Sequence, residues 1–590
     1  MKRMLLLNIY VFLLIPFASF SQSPDIQWEK KLIAAEEDFG VAAFPTPDGG
    51  TLLGATSNSG ISGSKTIPSL GEYDIWIIKL DALNNIEWQK AIGGSGSDFL
   101  ISMKQTSDGN FILAAWSDSG IGPMKSDYCR GSRDYWLVKI DVDGNIIWEN
   151  TFGSNYTDEI QDVNETMDGG FIIAGYSEGD ISGEKTEGQF EWGSYGAWDY
   201  WIIKTDAAGN LEWDNTIGGN NGDRCYAAIE TSDGNFIVGG VSYALISGDK
   251  TINPLGLNDI WILKLSSTGT IIWQKSIGGS GTETCRSIIE LNDGNYLINS
   301  DSNSNISGEK TENSRGLTDF WIFKIDDSGN ILAQKTMGGS AADQPFSVIE
   351  SSDGNMLVTG YSRSGVSAEK TEPVIGGQDI WSIKFNFDDD ILWDKTIGFL
   401  NDDYMGQIFQ TNDGGYLLSG STGINTSGQA YYVKLAADAC IAIPEICNAI
   451  DDNCNGLIDD DVTETISITA LGATEFCQGN SVVLNATYTG TAVQWKKNGG
   501  NIPGATLASF TATTKGNYSC ITTSVCGTVE STPIFVNVIK NPNSSISAGG
   551  PTTFCAGGSV ILTEVAVAGC TYQWYKGASP IPGATSLTYT

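Results

Sequence analysis

Through the first two-thirds of the chain, apolar and polar residues alternate with a period of two, and no stretch keeps a helical period. The run from Phe99 reads FLISMKQT and meets a Ser107-Asp108-Gly109-Asn110 turn, whose Gly and Asn accept positive φ. FILAAWS follows, then a long polar loop, then DYWLVKID, which can pair across Asp143-Gly144-Asn145 with IIWENTF. These segments are rich in β-branched and aromatic residues. Each such unit therefore predicts four short antiparallel strands.

The unit recurs. One series places an aromatic at Trp76, Trp136, Trp201, Trp261, Trp321, Trp381 and Tyr431. A second runs through Trp28, Trp88, Trp148, Trp213, Trp273, Ala333 and Trp393. A third marks the Asp-Gly turn, at Asp48, Asp108, Asp168, Asp233, Asp293, Asp353 and Asp413. The spacing is 60 residues, with one excursion to 65 and a last step of 50 in the first series. Three series of seven in one register point to a repeat architecture.

Four antiparallel strands repeated seven times fit a β-propeller, whose radial closure leaves few open edges. The ends are out of phase in a complementary way. Ile26-Gln27-Trp28-Glu29-Lys30 matches a fourth strand and Tyr431-Tyr432-Val433-Lys434 matches a third, so the entering segment can complete the last unit. The expected architecture is all-β, a seven-bladed β-propeller over residues 22–436, with a β-solenoid as the competing arrangement.

Composition narrows the function. Met1-Lys2-Arg3 and the mostly apolar run from Met4 to Phe20, with small Ser19 and Ser21, read as a signal peptide over residues 1–21. No later stretch reaches the ~20 apolar residues of a bilayer span. The expectation is an exported chain without membrane insertion. Net charge is −37, from 70 acidic against 33 basic residues. That balance opposes nucleic-acid and anionic-lipid partners and favours cations such as calcium. There is no histidine, which removes Ser-His-Asp and Cys-His catalysis and His-ligated zinc. Carboxylate chemistry of the glycosidase kind survives, but no asymmetric carboxylate pair, Walker loop, nucleophile elbow or zincin motif stands out. No catalytic residue is assigned.

Two recurring features are candidates for binding. An acid lies ten residues after each member of the second series: Asp38, Asp98, Asp158, Asp223, Glu283, Asp343 and Asp403. These seven are expected to circle one mouth of the channel, raising one another's pKa or holding a cation. The alternative is that each accepts backbone N–H bonds from its own turn or the adjacent blade. The loop between second and third strands reads SGSKT, SGEKT, SGDKT, SGEKT and SAEKT at Ser62, Ser182, Ser247, Ser307 and Ser367, with an Asp two residues before each following Trp. It is either a recognition loop or a self-packed loop ordered by that Asp. Tyr195 and Trp198, near the five-residue insertion, could stack on sugars.

Residues 437–462 form a Cys/Asp-rich linker. Asp451, Asn453, Asn455 and Gly456 fall at positions 1, 3, 5 and 6 of an EF-type calcium loop, with Asp459 at 9. Position 12 is Val462, so Asp460 or Asp461 would have to supply the last carboxylate. Cys447 and Cys454 are spaced to close a small disulfide loop around it. The segment resembles the short Cys/Asp metal-binding motif of MopE-type bacterial surface proteins, which implies bound calcium. An acidic, disulfide-pinned linker without metal is the other reading.

Eight of the eleven cysteines lie from Cys440 onward, which in an exported chain suggests disulfides in the C-terminal modules. Trp495, and Tyr518 two residues before Cys520, resemble an immunoglobulin-like sandwich with its tyrosine corner, over residues 463–540. Leu484 stands where the first core cysteine would be. Cys477–Cys526 is the expected bridge, with Cys520 as the rival partner. A second copy over residues 541–590 repeats Ile502-Pro503-Gly504-Ala505-Thr506 as Ile581-Pro582-Gly583-Ala584-Thr585 and stops at Thr590, before its last strands. The expectation is an incomplete domain from a longer protein. Pairing of Cys129, Cys225, Cys285, Cys440, Cys520, Cys555 and Cys570 stays open.

The whole arrangement resembles the large surface and secreted proteins exported by type IX secretion in gliding Gram-negative bacteria. These combine DGGY/DYWVVKLD-type repeats, immunoglobulin-like modules and a C-terminal sorting domain. The resemblance implies a secreted or outer-membrane-associated location and an architecture, not a ligand. The expected function is binding or adhesion, with a propeller head for an extracellular glycan or protein and a stalk of immunoglobulin-like modules. The alternatives are a carboxylate-dependent glycosidase or lyase and a structural surface-layer role.

Overall fold

The computed structural model describes residues 23–190, 198–388, 391–423, 428–438, 465–490, 492–524, 527–540, 544–566 and 571–590. Every regular element among them is a strand. The signal-peptide segment, the calcium-loop residues Asp451, Asn453, Asn455, Asp459 and Asp460, the cysteines Cys447, Cys454 and Cys526, and Tyr195 lie outside the described residues. The chain divides into two units, Met1–Ala439 and Cys440–Thr590.

The described part of the first unit holds seven four-stranded antiparallel sheets, built like propeller blades. Six are consecutive in sequence, and the seventh takes Ile26–Leu32 beside Gln429–Leu435. The third strand of each sheet is its core. Asp74–Leu80, Asp134–Ile140, Asp199–Thr205 and Asp259–Leu265 are buried on both faces, which is why they read as near-continuous apolar runs rather than alternating ones. Trp76, Trp136, Trp201, Trp261, Trp321 and Trp381 are each 0% exposed. A buried indole N–H needs an acceptor, and the fourth strand supplies it 13 residues on: Gln89 Oε1 for Trp76 at 3.1 Å, Glu149 for Trp136 at 2.8 Å and Asp214 for Trp201 at 3.0 Å.

One hydrogen bond joins each sheet to the next. The N–H of Asp98 donates to Tyr73 O at 2.7 Å, that of Asp158 to Arg133 O at 2.8 Å and that of Glu283 to Asn258 O at 2.9 Å. Asp38 N makes the same bond to Gly428 O at 2.7 Å, from the sequence-last sheet to the first. At the other end of the first strands, Glu165, Glu290 and Glu350 accept turn N–H groups of the preceding sheet from Ser107, Ser232 and Asn292, at 2.6, 2.8 and 2.8 Å.

In the second unit, a three-stranded sheet contains Val482–Tyr488 and a larger mixed sheet contains Ala492–Lys497 and Gly516–Ser524. Trp495, Leu484, Cys520 and Tyr518 share one core, and Tyr518 donates from its hydroxyl to Thr514 O at 2.8 Å. Cys477 lies opposite Ile539, and Cys477 and Cys520 are both free, the first exposed and the second buried; the expected partner of Cys477, Cys526, lies outside the described residues.

Thiol reactivity should follow burial. Cys225 and Cys285 are 0% exposed in sheet cores, and burial pushes the Cys225 thiol up to about 12 and the Cys285 thiol higher still. In the native chain, iodoacetamide is expected to label Cys477 and Cys555 and to reach Cys225 and Cys285 only after denaturation. Peptide mass mapping checks it; fast native labelling of Cys225 would contradict this packing.

Candidate functional site

The seven recurring acids do not form a channel-mouth ring. Each is the first residue of its sheet's first strand, and Asp38, Asp98, Asp158, Asp223, Glu283, Asp343 and Asp403 are all 0% exposed. None lines the central cavity. They turn instead toward the loop entering their own strand. Asp98 accepts from Gly94 N at 2.6 Å and Ser119 Oγ at 2.8 Å. Glu283 accepts from Gly279 N at 2.9 Å and Ser304 Oγ at 2.6 Å. Asp158, Asp223, Asp343 and Asp403 accept the N–H four residues before them at 2.6, 2.7, 2.7 and 2.6 Å. Burial lifts Asp38 and Asp403 to about 6 and Asp158 and Asp223 to about 7, against the pull of their Ser and Thr hydrogen bonds.

The Ser-Gly-x-Lys-Thr loops are likewise turned inward. Lys65, Lys185, Lys250, Lys310 and Lys370, and Lys125 in the sheet that lacks the motif, are at most 1% exposed. Each ammonium lies over the sheet's core indole, from 5.1 Å for Lys250 on Trp261 to 5.9 Å for Lys310 on Trp321. Each also faces two carboxylates of its own sheet: Asp38 and Asp74 for Lys65, Asp158 and Asp199 for Lys185, Asp223 and Asp259 for Lys250. The Asp preceding each Trp orders the loop. Asp74 accepts from Leu70 N at 2.7 Å and Asp134 from Arg130 N at 2.8 Å. Neighbouring sheets bring their acids together around a glycine: a side chain on Gly398 would collide with the carboxylates of Asp379 and Asp403.

The solvent-facing chemistry is elsewhere. A cavity of about 810 Å³ runs between the first strands of all seven sheets. Its lining includes the second, fourth and fifth residues of most of those strands, although Glu159, Arg224 and Thr284 at the second position are not part of it, and the second and fourth positions do not repeat. The second residues are Phe39, Phe99, Glu159, Arg224, Thr284, Gln344 and Tyr404; the fourth are Val41, Ile101, Gln161, Tyr226, Arg286, Phe346 and Gly406. At one mouth they build an arc of rings and guanidinium groups. Phe99 stacks on Trp116 at 5.3 Å and 7°, and Arg133 covers Trp116 at 4.1 Å while pairing with Glu159 at 2.9 Å. Tyr176 donates to Glu159 at 2.8 Å and packs edge-on against Trp198 at 4.9 Å. Arg224 lies over Tyr176 and Trp198, Arg286 over Tyr226 at 5.7 Å, and Tyr361 against Tyr404 at 5.5 Å.

Below this arc the cavity narrows to Ser102, Asp162, Ser287, Ser347 and Gln407, at the fifth position. Gln407 reaches Ser102 Oγ at 3.1 Å across the first sheet. Asp162 is the one carboxylate of this waist; burial raises its pKa, opposed first by Lys104, whose ammonium is 4.0 Å away. Trp198 packs on Tyr176 and Arg224 and is not among the residues lining the cavity; the rim residues escape a search for recurrence because they vary. Their signal is that variation, at two positions of an otherwise regular strand.

No family model and no curated protein matches the chain. Solved structures similar to it include hydrazine synthase of Kuenenia stuttgartiensis, at 9% identity and a TM-score of 0.39, over 68% of this chain and 96% of that one. The apocarotenoid oxygenase of Synechocystis, in a Glu150Gln mutant, matches at 10% identity and 0.33, over 64% and 94%. The Pan2 WD40 domain of Neurospora crassa matches at 9% identity and 0.31, over 57% and 89%.

Proposed function

We propose that this chain is a secreted or cell-surface binding protein whose head is a closed, seven-bladed β-propeller holding its ligand at the mouth of the central cavity. One observation carries the reading. The second and fourth positions of the first strands abandon the repeat that the buried first-position acid and the third-strand aromatic keep, and they contribute aromatic rings and arginines to one mouth. Structural positions in a repeat converge on one solution; a ligand without sevenfold symmetry requires different groups from different blades. The cavity volume also suits a ligand of small-oligosaccharide size, within the ~300–1,000 Å³ of common binding sites.

The remaining parts follow from the sequence resemblances. Residues 437–462 would bind calcium through Asp451, Asn453, Asn455, Asp459 and Asp460 and stiffen the joint. Residues 463–540 and 541–590 would be immunoglobulin-like stalk modules, a reading supported by the Tyr518–Thr514 bond at 2.8 Å and the shared core around Trp495. The signal-peptide reading of residues 1–21 and the type IX cargo resemblance support a location outside the cell. The ligand is an extracellular glycan or protein, with no nucleic acid and no membrane insertion.

The test is a glycan array probed with the whole chain, in calcium and in chelator, beside a Tyr226→Ala variant. Reproducible hits that fall at least tenfold in the variant are expected. Hits that survive Tyr226→Ala would move the ligand away from the cavity mouth, and a blank array at high protein concentration would sink the glycan version.

A further inference from the structure

The chain carries seven arginines against 70 acidic residues. Four of the seven, Arg133, Arg224, Arg286 and Arg363, come from the cavity mouth or the strand ends beside it. Two of these are neutralised locally: Arg133 pairs with Glu159 at 2.9 Å, and Arg286 Nε with Asp301 at 2.6 Å. Neither Arg224 nor Arg363 forms an ion pair with a carboxylate among the described residues, but Arg363 Nε donates to Gln378 at 2.9 Å. Arg224 is half-buried, its guanidinium centre lies 5.5 Å from the Tyr176 ring and 5.8 Å from the Trp198 ring, and it hydrogen-bonds Tyr226, which lines the cavity. In so acidic a chain a half-desolvated guanidinium without a carboxylate partner beside a cavity mouth stands out, because its planar fork is suited to bidentate carboxylate binding.

The groups around it define what else the ligand must offer. Tyr226, two residues on along the same strand, lies under Arg286 and lines the cavity, and Phe346, 47% exposed, lines it two sheets further on. Ring faces of this kind accept the C–H face of a pyranose. The hydroxyl and amide groups of Ser102, Ser287, Ser347 and Gln407 at the waist suit sugar hydroxyls. The long-range field of a −37 chain repels anions, so an acidic ligand binds only where the local arginines overcome that field.

Building on the binding function proposed above, we infer that the cavity mouth is a site for a carboxylate-bearing sugar, a uronic-acid residue of an acidic glycan. Its carboxylate is held by Arg224, and its ring lies against the Tyr226 side of the mouth. An acidic peptide could offer the carboxylate but not the apolar pyranose face with hydroxyls around its edge, which is what the combination of rings and waist hydroxyls matches.

The experiment is a calorimetric titration of the whole chain with a galacturonic acid tetramer and with the neutral galactose tetramer made by reducing its carboxyl groups. The acidic tetramer is expected to bind, the neutral one at least tenfold more weakly, and Arg224→Gln to cost tenfold or more toward the acidic ligand alone. Arg224→Lys, which keeps the charge and loses the fork, should recover part of that loss, and an unchanged melting temperature in both variants shows that folding is intact. Equal binding of both tetramers overturns the acidic-sugar inference and leaves the binding head standing. Binding of neither, together with a blank glycan array, overturns both, and a poly-glutamate peptide binding as well as the tetramer overturns the sugar class.

Discussion

A chain beginning at Ile33, without the strand Ile26–Leu32, is expected to lose the cooperative fold of its first unit. That strand is the outer member of the sheet formed with Asp403–Gln410, Tyr416–Thr422 and Gln429–Leu435. Trp28 lies opposite Lys434 and Lys30 opposite Tyr432. Leu32 is 0% exposed in the cluster it shares with Ala430 and Tyr432. Glu29 accepts the Tyr431 hydroxyl at 2.7 Å, and Lys31 sits 3.4 Å over the Phe399 ring. Losing the burial of Leu32 and most of Trp28 costs about 1.5–3 kcal/mol each, and the ladder bonds add about 0.5–1.5 kcal/mol apiece. The total approaches the ~5–15 kcal/mol by which whole domains are stable. The strand also covers the Gln429–Leu435 edge, which would otherwise be a template for association. Thermal unfolding followed by circular dichroism, with light scattering, should show a lower and broader transition and early aggregation. A synthetic peptide of residues 23–33 added in trans should restore part of the midpoint by strand addition. An unchanged midpoint would mean that this sheet does not depend on the N-terminal strand.

That pairing is visible in the sequence because it rests on phase. Three motif series keep register wherever the same core must be rebuilt, and the repeat array begins on a fourth strand and ends on a third. The buried lysines and acids recur just as faithfully, yet recurrence alone does not say which way a side chain turns. Lys65 and Asp38 read as a polar loop and a possible ring of charge, whereas the folded chain places both at 0% exposure. What decides their direction is a long-range partner, the Trp76 indole for Lys65 and the hydroxyls of Ser57 and Ser59 for Asp38, and no local pattern encodes it. The cavity mouth fails for the opposite reason. Arg224, Tyr226, Arg286 and Tyr404 recur nowhere, so a search built on repetition passes over them. Cys477 shows a third limit: spacing suggests a loop-closing bridge, while in the folded chain Cys477 is exposed and free.

The inward-turned charges have a consequence for pH. Each of six sheets buries one lysine facing two carboxylates, so one ammonium can balance only one of them. The second carboxylate carries an uncompensated charge in a dry site unless it takes up a proton. Asp38, Asp74, Asp223, Asp319, Asp343, Asp379 and Asp403 each leave Oδ1 buried without a hydrogen-bond partner, and protonating one acid of a facing pair supplies the missing donor. Burial is the leading cause of the upward shifts, to about 7 at Asp158 and Asp223 and about 6 at Asp199, Asp319 and Asp403. A carboxyl whose pKa is raised on folding binds its proton in the native state first. Its contribution is complete below the unfolded value near 3.8 and is lost as pH climbs through 6 to 7. The first unit should therefore melt several degrees higher at pH 5 than at pH 8. Below about pH 4 the trend reverses, because turn acids such as Asp168 and Asp353, held down at about 2 by Thr, Ser and lysine partners, begin to lose those bonds.

The decisive variant is Lys185→Met, which keeps the stem over Trp201 and removes the ammonium that faces Asp158 and Asp199. Removing one partner of a buried charge cluster costs about 3–5 kcal/mol, and about half of that should be seen at pH 8, because burial lowers the Lys185 pKa to about 8. At pH 5 Asp158 and Asp199 are protonated and only Asp214 and Glu187 still face the lysine as charges, so the loss should shrink toward the ~1 kcal/mol of one hydrogen bond, that of Lys185 Nζ to Thr216 at 2.5 Å. Chemical denaturation at both pH values measures the difference. A penalty that is the same at pH 5 and pH 8 would show that the two carboxylates are not waiting for a proton, and that the lysine is held by packing on Trp201 alone.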